Sequence, residues 1–101
     1  MGGNSVLYLR QLRAFVRMRG NDAESARKKM ESGDVQGLGQ LAHMLAGSAG
    51  TIGAIGVHAA ANALQEAVRQ KATRETLDNA VEVLAAELTP LVDGLAAELG
   101  D

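Results

Sequence analysis

Apolar residues recur at steps of three or four along the last quarter of the chain, and this pattern constrains the fold more than any other feature. They are Leu77, Val81, Leu84, Leu88, Leu91, Leu95 and Leu99. Steps of three and four place side chains on one face of an α-helix. Aromatic residues make up only 2% of the chain although 47% are hydrophobic. Because strands prefer β-branched and aromatic residues, this composition favours packed helices.

Start and stop signals divide the rest of the chain into four further helices. The first predicted helix begins near Asn4 or Ser5, and the last begins after the cap Thr73. The second, third and fourth predicted helices cover residues 22–32, 35–52 and 57–71. Gly20-Asn21 and Ser32-Gly33-Asp34 supply breaks, because glycine ends helices and Asn or Asp caps them. Pro90 lacks an N–H and clashes with the preceding turn, so we expect it to kink or split the last helix.

The predicted fold class is all-α. Short connections make neighbouring helices antiparallel, so helices two to five should form an up-and-down four-helix bundle, with the first helix packed across one end. We expect one domain over residues 1–101, of which residues 1–3 are disordered or derived from cloning.

Each helix has local patterns of its own. In the first helix, the expected buried residues are Leu9, Leu12, Phe15 and Val16, and the expected solvated stripe is Arg10, Arg13 and Arg17. Asn21 and Glu24 have the spacing of a capping box for the second helix. In the fourth helix, His58 is expected to be solvated on a polar stripe with Asn62, Gln65 and Arg69.

Bulk properties exclude several classes of protein. The chain has no cysteine, which rules out a disulfide scaffold, a thiol nucleophile and a cysteine-ligated zinc. It has no apolar run near 18 residues and no signal-like start, so we expect a soluble, cytoplasmic module without membrane insertion. The net charge is −2, and we expect no nucleic-acid binding, since neither clustered basic charge nor base-stacking aromatics are convincing.

The predicted third helix carries a histidine opposite its apolar residues. At 100° per residue, the apolar face gathers Leu38, Leu41, Leu45, Ser48 and Ile52. His43 points almost directly away from that face, so we expect its ring to be exposed. Positions three, four and seven residues away share its side of the helix, and they are Gln36, Gly39, Gln40, Ala46, Gly47 and Gly50.

Three glycines beside one imidazole are hard to explain as helix formers, because each lowers helix stability by about 1 kcal/mol relative to alanine. We interpret Gly39, Gly47 and Gly50 as a smooth surface that lets another macromolecule reach the ring. The alternative is that Gly50 and Gly53 fray the end of the helix and that Gly39 lies near its start.

These residues resemble a known family. His43-Met44-Leu45-Ala46-Gly47-Ser48-Ala49, followed by Ile52-Gly53-Ala54, is similar to the signature of histidine-containing phosphotransfer (HPt) domains. That signature is His, any residue, Leu, Lys, Gly, Ser, Ala and then a hydrophobic-Gly-Ala turn. The Gly33-Asp34 helix start, the alanine-rich helix after the turn and the long final helix extend the resemblance over nearly the whole chain. It departs at Ala46, where the family usually has a lysine thought to help neutralise the phosphoryl group.

The resemblance implies a phosphorelay intermediate. His43 would accept a phosphoryl group on Nε2 from the phospho-aspartate of a response-regulator receiver domain and pass it to another receiver aspartate. The receiver would supply Mg²⁺, and this chain would bind no cofactor. No nucleotide-binding glycine loop is present, so the donor must be a second protein. The isolated domain would be a phosphocarrier, although a parent chain could be a hybrid sensor histidine kinase acting in cis.

Neighbouring residues receive expected roles on the same basis. Gly47 would leave room for the phosphoryl group, and Gln40 would hydrogen-bond the ring or a phosphate oxygen. Ala46 can neither hydrogen-bond the ring nor contact a phosphate oxygen. Gly50 is expected on the same face of the helix as His43. The docking candidates are Met44, Gly39 and Gln36. We expect a monomer.

Three alternatives stay open. The first is a docking-only module with the same fold, which binds a receiver or kinase without carrying phosphate, and Ala46 motivates it. The second is a metal-binding bundle that uses His43 and His58, although no carboxylate lies three or four residues from either. The third is a plain helical interaction domain, which explains the leucines but leaves the histidine and its glycines unexplained.

Overall fold

Five α-helices make up the fold. The computed structural model describes the backbone of residues 2–100 and the side chains of residues 6–100. The helices are α1 (Gly2–Arg19), α2 (Asp22–Ser32), α3 (Val35–Ile52), α4 (Ile55–Arg69) and α5 (Arg74–Leu99). The described residues form no strand, and no helix among them is long and apolar enough to cross a membrane. The predicted bounds of α2 and α3 are confirmed.

The predicted all-α bundle is confirmed. Helix α3 packs on α4, α4 packs on α5, and α2 closes the bundle against α3 and α5. Helix α1 contacts α3 and α5, and its Phe15 is buried in the same core. The Tyr8 hydroxyl donates to the carbonyl oxygen of Ile52, the last residue of α3, at 3.2 Å. Helix α1 therefore packs where α3 ends.

The core is built from aliphatic side chains that the helical spacing predicts. Its largest fully buried members are Leu38, Leu45, Leu64, Leu84, Leu88 and Val81. Burying one such side chain stabilises a fold by about 1.5–3 kcal/mol. Towards the end of α5, Leu91 and Leu95 are only partly buried and pack against the core.

Glycine and aspartate caps fix both ends of α3. Gly33 ends α2 in the left-handed conformation, with φ 76°, and the Asp34 carboxylate accepts a hydrogen bond from the Gly37 N–H at 2.9 Å. Gly53 ends α3 with φ 77°. A left-handed residue favours glycine because it has no Cβ. The predicted cap of α5 is also confirmed, since the Thr73 hydroxyl accepts from the Thr76 N–H at 3.2 Å.

Helix α1 differs from its prediction at its start. It begins at Gly2, ahead of the predicted Asn4 or Ser5, while Met1 lies outside the described residues. Leu9, predicted to be buried, is 39% exposed. Val6, Leu7 and Tyr8 are exposed too, and together the four side chains point in every direction around the helix. Apart from the hydrogen bond from Tyr8 to the end of α3, the other described helices therefore leave this part of α1 largely uncovered.

One further local prediction is wrong, and another is wrong in part. The Asn21 side chain makes no capping hydrogen bond, because its φ of −103° and ψ of 10° differ from the extended backbone that a cap usually needs. Helix α5 is not split at Pro90 but runs unbroken through it. Pro90 is exposed, while Leu88 before it is fully buried and Leu91 after it packs against the core.

Candidate functional site

His43 lies on the exposed side of α3, away from the bundle core. Its side chain is exposed, as are those of Gln36, Gln40 and Met44 on the same side. Leu38 and Leu45 are fully buried on the opposite face. The two caps described above fix α3 at both ends, so the histidine stands on a rigid element and not on a loop.

Gln65 of α4 holds one nitrogen of the ring. Its amide nitrogen lies 3.0 Å from His43 Nδ1, and the Gln65 side chain is partly buried between the helices. Within the described part of the chain, His43 Nε2 makes no hydrogen bond. The ring is thus oriented by its inner nitrogen, while the outer nitrogen faces solvent.

The ring borders an open groove between α3 and α4. Helix α3 contributes Gln36, Gly39, Gln40, His43 and Met44, and α4 contributes Gln65, Val68 and Arg69. Arg69 is the one charged residue in this lining, and its guanidinium pairs with the Glu66 carboxylate on the same helix. Arg69, which the sequence placed on the polar stripe of this helix, therefore brings a positive charge, paired with Glu66, to the edge of the groove.

The three glycines around His43 do different things. A Cβ at Gly47 would meet no atom within 4 Å, whereas a Cβ at Gly39 would lie 2.9 Å from Val68 Cγ1, and one at Gly50 would lie 3.3 Å from His58 Nδ1. Gly39 and Gly50 therefore allow α4 to approach α3. The interpretation of all three as a smooth surface is therefore incomplete for Gly39, where a side chain would clash with α4. Gly50 is exposed beside the His58 ring, and Gly47 borders open space.

Ala46 is also not where the sequence predicted it. It is only 4% exposed, and its carbonyl oxygen accepts a hydrogen bond from His58 Nδ1 of α4 at 2.8 Å. On α3 it lies on the same flank as Gly39, and α4 packs against that flank. The outer face of α3 is therefore narrower than helical spacing alone indicates, because spacing does not show which flank a neighbour covers.

His58 is a structural link and not the solvated residue that we predicted. A carbonyl only accepts hydrogen bonds, so His58 Nδ1 carries the proton that it donates to Ala46. Its Nε2 then accepts from the Asn62 amide nitrogen at 3.1 Å. Both ring nitrogens are occupied, in contrast to those of His43.

The geometry gives the metal alternative no support. Within residues 6–100, no three His, Asp or Glu side chains are grouped so that they could hold an ion. His43 and His58 each bond to other partners, Gln65 in one case and Ala46 with Asn62 in the other.

Comparison with known protein families identifies the chain's family. A family model described as the Hpt domain matches residues 8–98. This range includes the greater part of each of the five helices. Comparisons with curated proteins and with solved structures return no match.

Proposed function

Because this chain belongs to the Hpt domain family, we propose that His43 is its phosphoryl acceptor. Family membership gives a phosphotransfer role in a two-component phosphorelay, with response-regulator receiver domains as partners. We propose in addition that His43 takes the phosphoryl group from a receiver phospho-aspartate and passes it to another receiver aspartate. The observation that carries this proposal is an exposed imidazole on a rigid helix, held at Nδ1 by Gln65.

The reaction requires a lone pair on His43 Nε2. A neutral imidazole has a lone pair on one ring nitrogen and a proton on the other. Nε2 attacks the phosphorus of the acyl phosphate, and the bond to the aspartate oxygen breaks with its electron pair staying on the carboxylate. Phosphoryl transfer depends mainly on positioning and charge neutralisation, so one well-placed nucleophile is sufficient.

Gly47 supplies the space for this step. It lies one helical turn after His43 on the exposed side of α3, and no atom lies within 4 Å of a Cβ placed there. A phosphoryl group on Nε2 and the receiver loop that delivers it can both occupy this space. Met44, which is 55% exposed, offers apolar surface beside it for the receiver.

Charge neutralisation is assigned to Arg69 and to the Mg²⁺ that we propose the receiver brings. Ala46 cannot contribute, because its side chain is small and buried. The Arg69 side chain is 76% exposed and pairs with Glu66 on the same helix. An exposed pair of this kind is worth about 1 kcal/mol or less, so the guanidinium can leave Glu66 and bind phosphoryl oxygens, for which its planar fork is well suited.

A docking-only role is the less favoured alternative. Its motive was the absence of lysine at position 46, but that position lies against α4, where packing also constrains the side chain. The free Nε2 and the open space at Gly47 are features that a carrier needs and a docking module does not.

Transfer from a labelled receiver tests the proposal. The protein is mixed with a receiver phosphorylated with radioactive phosphate, and the label on each chain is followed in time. We expect label on the wild type and on His58→Gln, but none on His43→Gln. Binding of the receiver without transfer of label to the wild type would support the docking-only alternative instead.

A further inference from the structure

We propose that two copies of this chain associate through one end of the fold, with the basic helix α1 of each copy packed on the acidic outer face of α5 of the other. This arrangement replaces the monomer that the sequence predicted. It is independent of the proposed function, because the groove beside His43 is lined by α3 and α4 alone.

Helix α1 presents a basic and apolar surface that its own chain leaves largely uncovered. It carries four arginines and no acidic residue. Its exposed arginines recur at steps of three and four and therefore share one side of the helix. They are Arg10, Arg13 and Arg17. Val6 lies one turn before Arg10 on that side, and Leu7 and Leu9 are exposed on its two flanks. Among residues 6–100, none of these three arginines has an ion-pair partner.

The outer face of α5 has the opposite charge. A stripe of small and apolar residues runs along it at steps of three or four, with exposed carboxylates on both sides. The stripe is Val83, Ala86, Pro90, Gly94 and Ala97, and the carboxylates are those of Glu87, Asp93 and Glu98. After Arg74 the helix has no lysine or arginine. A Cβ at Gly94 would meet no atom within 4 Å, so the stripe leaves room for a helix to lie on it.

Both surfaces lie at the same end of the fold. Tyr8 of α1 bonds to the carbonyl oxygen of Ile52, where α3 ends. The Glu87 carboxylate of α5 lies where a side chain at Gly56 would stand, close to the start of α4. The part of α5 after Glu87 therefore continues past the start of α4 by about 18 Å, at 1.5 Å per residue. A two-fold axis at this end can place α1 of each copy on α5 of the other, so that every contact occurs twice.

Charge favours a second copy over the other occupants of this end. Two α1 helices would repel each other, because both bring arginines and neither brings a carboxylate. An anionic lipid surface would attract α1 but repel α5, since the chain outside α1 holds six Lys and Arg against twelve Asp and Glu. In the described part of the chain, no ion pair joins α1 to α5 of the same copy. A second copy offers each surface its complement, and such complementarity selects partners and fixes their register.

Exchanging the charges between the two surfaces tests the pairing. One variant, Arg10→Glu with Arg13→Glu, makes α1 acidic, and a second, Asp93→Lys with Glu98→Lys, makes the end of α5 basic. Copies of either variant should repel each other. In an equimolar mixture, the acidic α1 meets the basic α5, and the native α1 meets the native α5. The molar mass is measured by sedimentation equilibrium up to about 100 μM, where even a weak association is detected.

We expect the wild type to reach twice the 10.5 kDa mass of one chain. Each charge variant alone should associate about tenfold more weakly, since exposed ion pairs are individually weak but each one occurs twice in a symmetric dimer. The mixture should associate as strongly as the wild type.

Two substitutions test the apolar part of the contact, each with a matched control. Gly94→Leu should weaken association about tenfold by filling the stripe, whereas Gly47→Leu, on α3, should not. Val6→Gln should weaken association about threefold through lost apolar burial. Val35→Gln makes the same change at the opposite end of α3 and should have no effect, although Val35 is exposed to a similar degree, 41% against 51% for Val6.

A wild type that keeps the mass of a single chain at about 100 μM would overturn the proposal. A mixture of the charge variants that associates no better than either variant alone would also overturn it, as would an association that Gly94→Leu leaves unchanged. Vesicles of anionic phospholipid provide the last comparison, because a chain that binds them and stays single in solution would assign α1 to a lipid surface instead.

Discussion

The glycines of α3 give the sharpest test of how this site is built, because one substitution should have opposite effects on stability at two positions eight residues apart. A Cβ at Gly47 would meet no atom within 4 Å, so Gly47→Ala gains helix propensity without a clash. The gain is about 1 kcal/mol. For a domain of this size, that raises the melting temperature by about 4–8 °C.

At Gly39 the same change meets α4. A Cβ there would lie 2.9 Å from Val68 Cγ1, and because valine is stiff at χ1, the helices must move apart. Overpacking of this kind costs about 1–3 kcal/mol, which outweighs the gain in propensity. We expect Gly39→Ala to lower the free energy of unfolding by about 1 kcal/mol. Urea denaturation of both variants measures the difference between them, about 2 kcal/mol.

The functional half of this prediction uses a larger side chain. Gly47→Leu should fold at least as stably as the wild type but accept phosphate from a receiver about tenfold more slowly, since a small misplacement of reacting groups has large effects on rate. The matched control is Gly94→Leu, since a Cβ at Gly94 in α5 also meets no atom within 4 Å. If Gly39→Ala were more stable than Gly47→Ala, or if Gly47→Leu transferred at the wild-type rate, the assigned roles of these glycines would be wrong.

Three further predictions concern charge. Arg69→Ala should slow transfer about tenfold, the scale of one charge-assisted hydrogen bond to the phosphoryl group. The control Arg13→Ala, on the exposed face of α1, should leave the transfer rate unchanged. Equal transfer rates in the two variants would refute the role assigned to Arg69. Ala46→Lys should lower the free energy of unfolding by about 1–3 kcal/mol, because it forces a long charged side chain between α3 and α4. It should not speed transfer. A variant as stable as the wild type that transfers phosphate faster would contradict this prediction. Burial raises the pKa of the Asp22 carboxyl above its usual 3.8, against the opposing effect of Arg19, so the folded state binds the proton more tightly than the unfolded state. The free energy of unfolding of the wild type, relative to that of Asp22→Asn, should therefore fall as pH rises from about 3 to about 7. Urea denaturation of both proteins across that range measures this difference, and a difference that rises with pH would contradict the prediction.

Local signals in the sequence predicted the bundle well where they were strong. Gly33, Asp34 and Gly53 determine the limits of α3 through their own backbone and side-chain chemistry, so those limits could be read directly. The start of α4 was placed two residues late, because its N-cap is Ala54, which makes no side-chain capping bond and gives no signal.

The surroundings of His43 were only partly predictable, for a geometric reason. Helical spacing gives the angle of each residue around α3 but not the direction from which α4 approaches, and that direction decides that Ala46 is buried while Gly47 is open. Gln65 is 22 residues from His43 in sequence. Its place on a polar stripe was visible, but its contact with the ring depends on how α3 and α4 pack, which no local pattern encodes.

The central claim is that a phosphoryl group resides on Nε2 of His43, and locating it after transfer tests that claim most directly. The protein is phosphorylated by a labelled receiver, cleaved under alkaline conditions that preserve phosphohistidine, and the modified residue is identified by mass spectrometry, with ³¹P NMR assigning the ring nitrogen. The account predicts phosphate on Nε2 of His43 and none on His58. Phosphate on His58, on Nδ1 of His43, or on no residue of a chain that binds the receiver would contradict it.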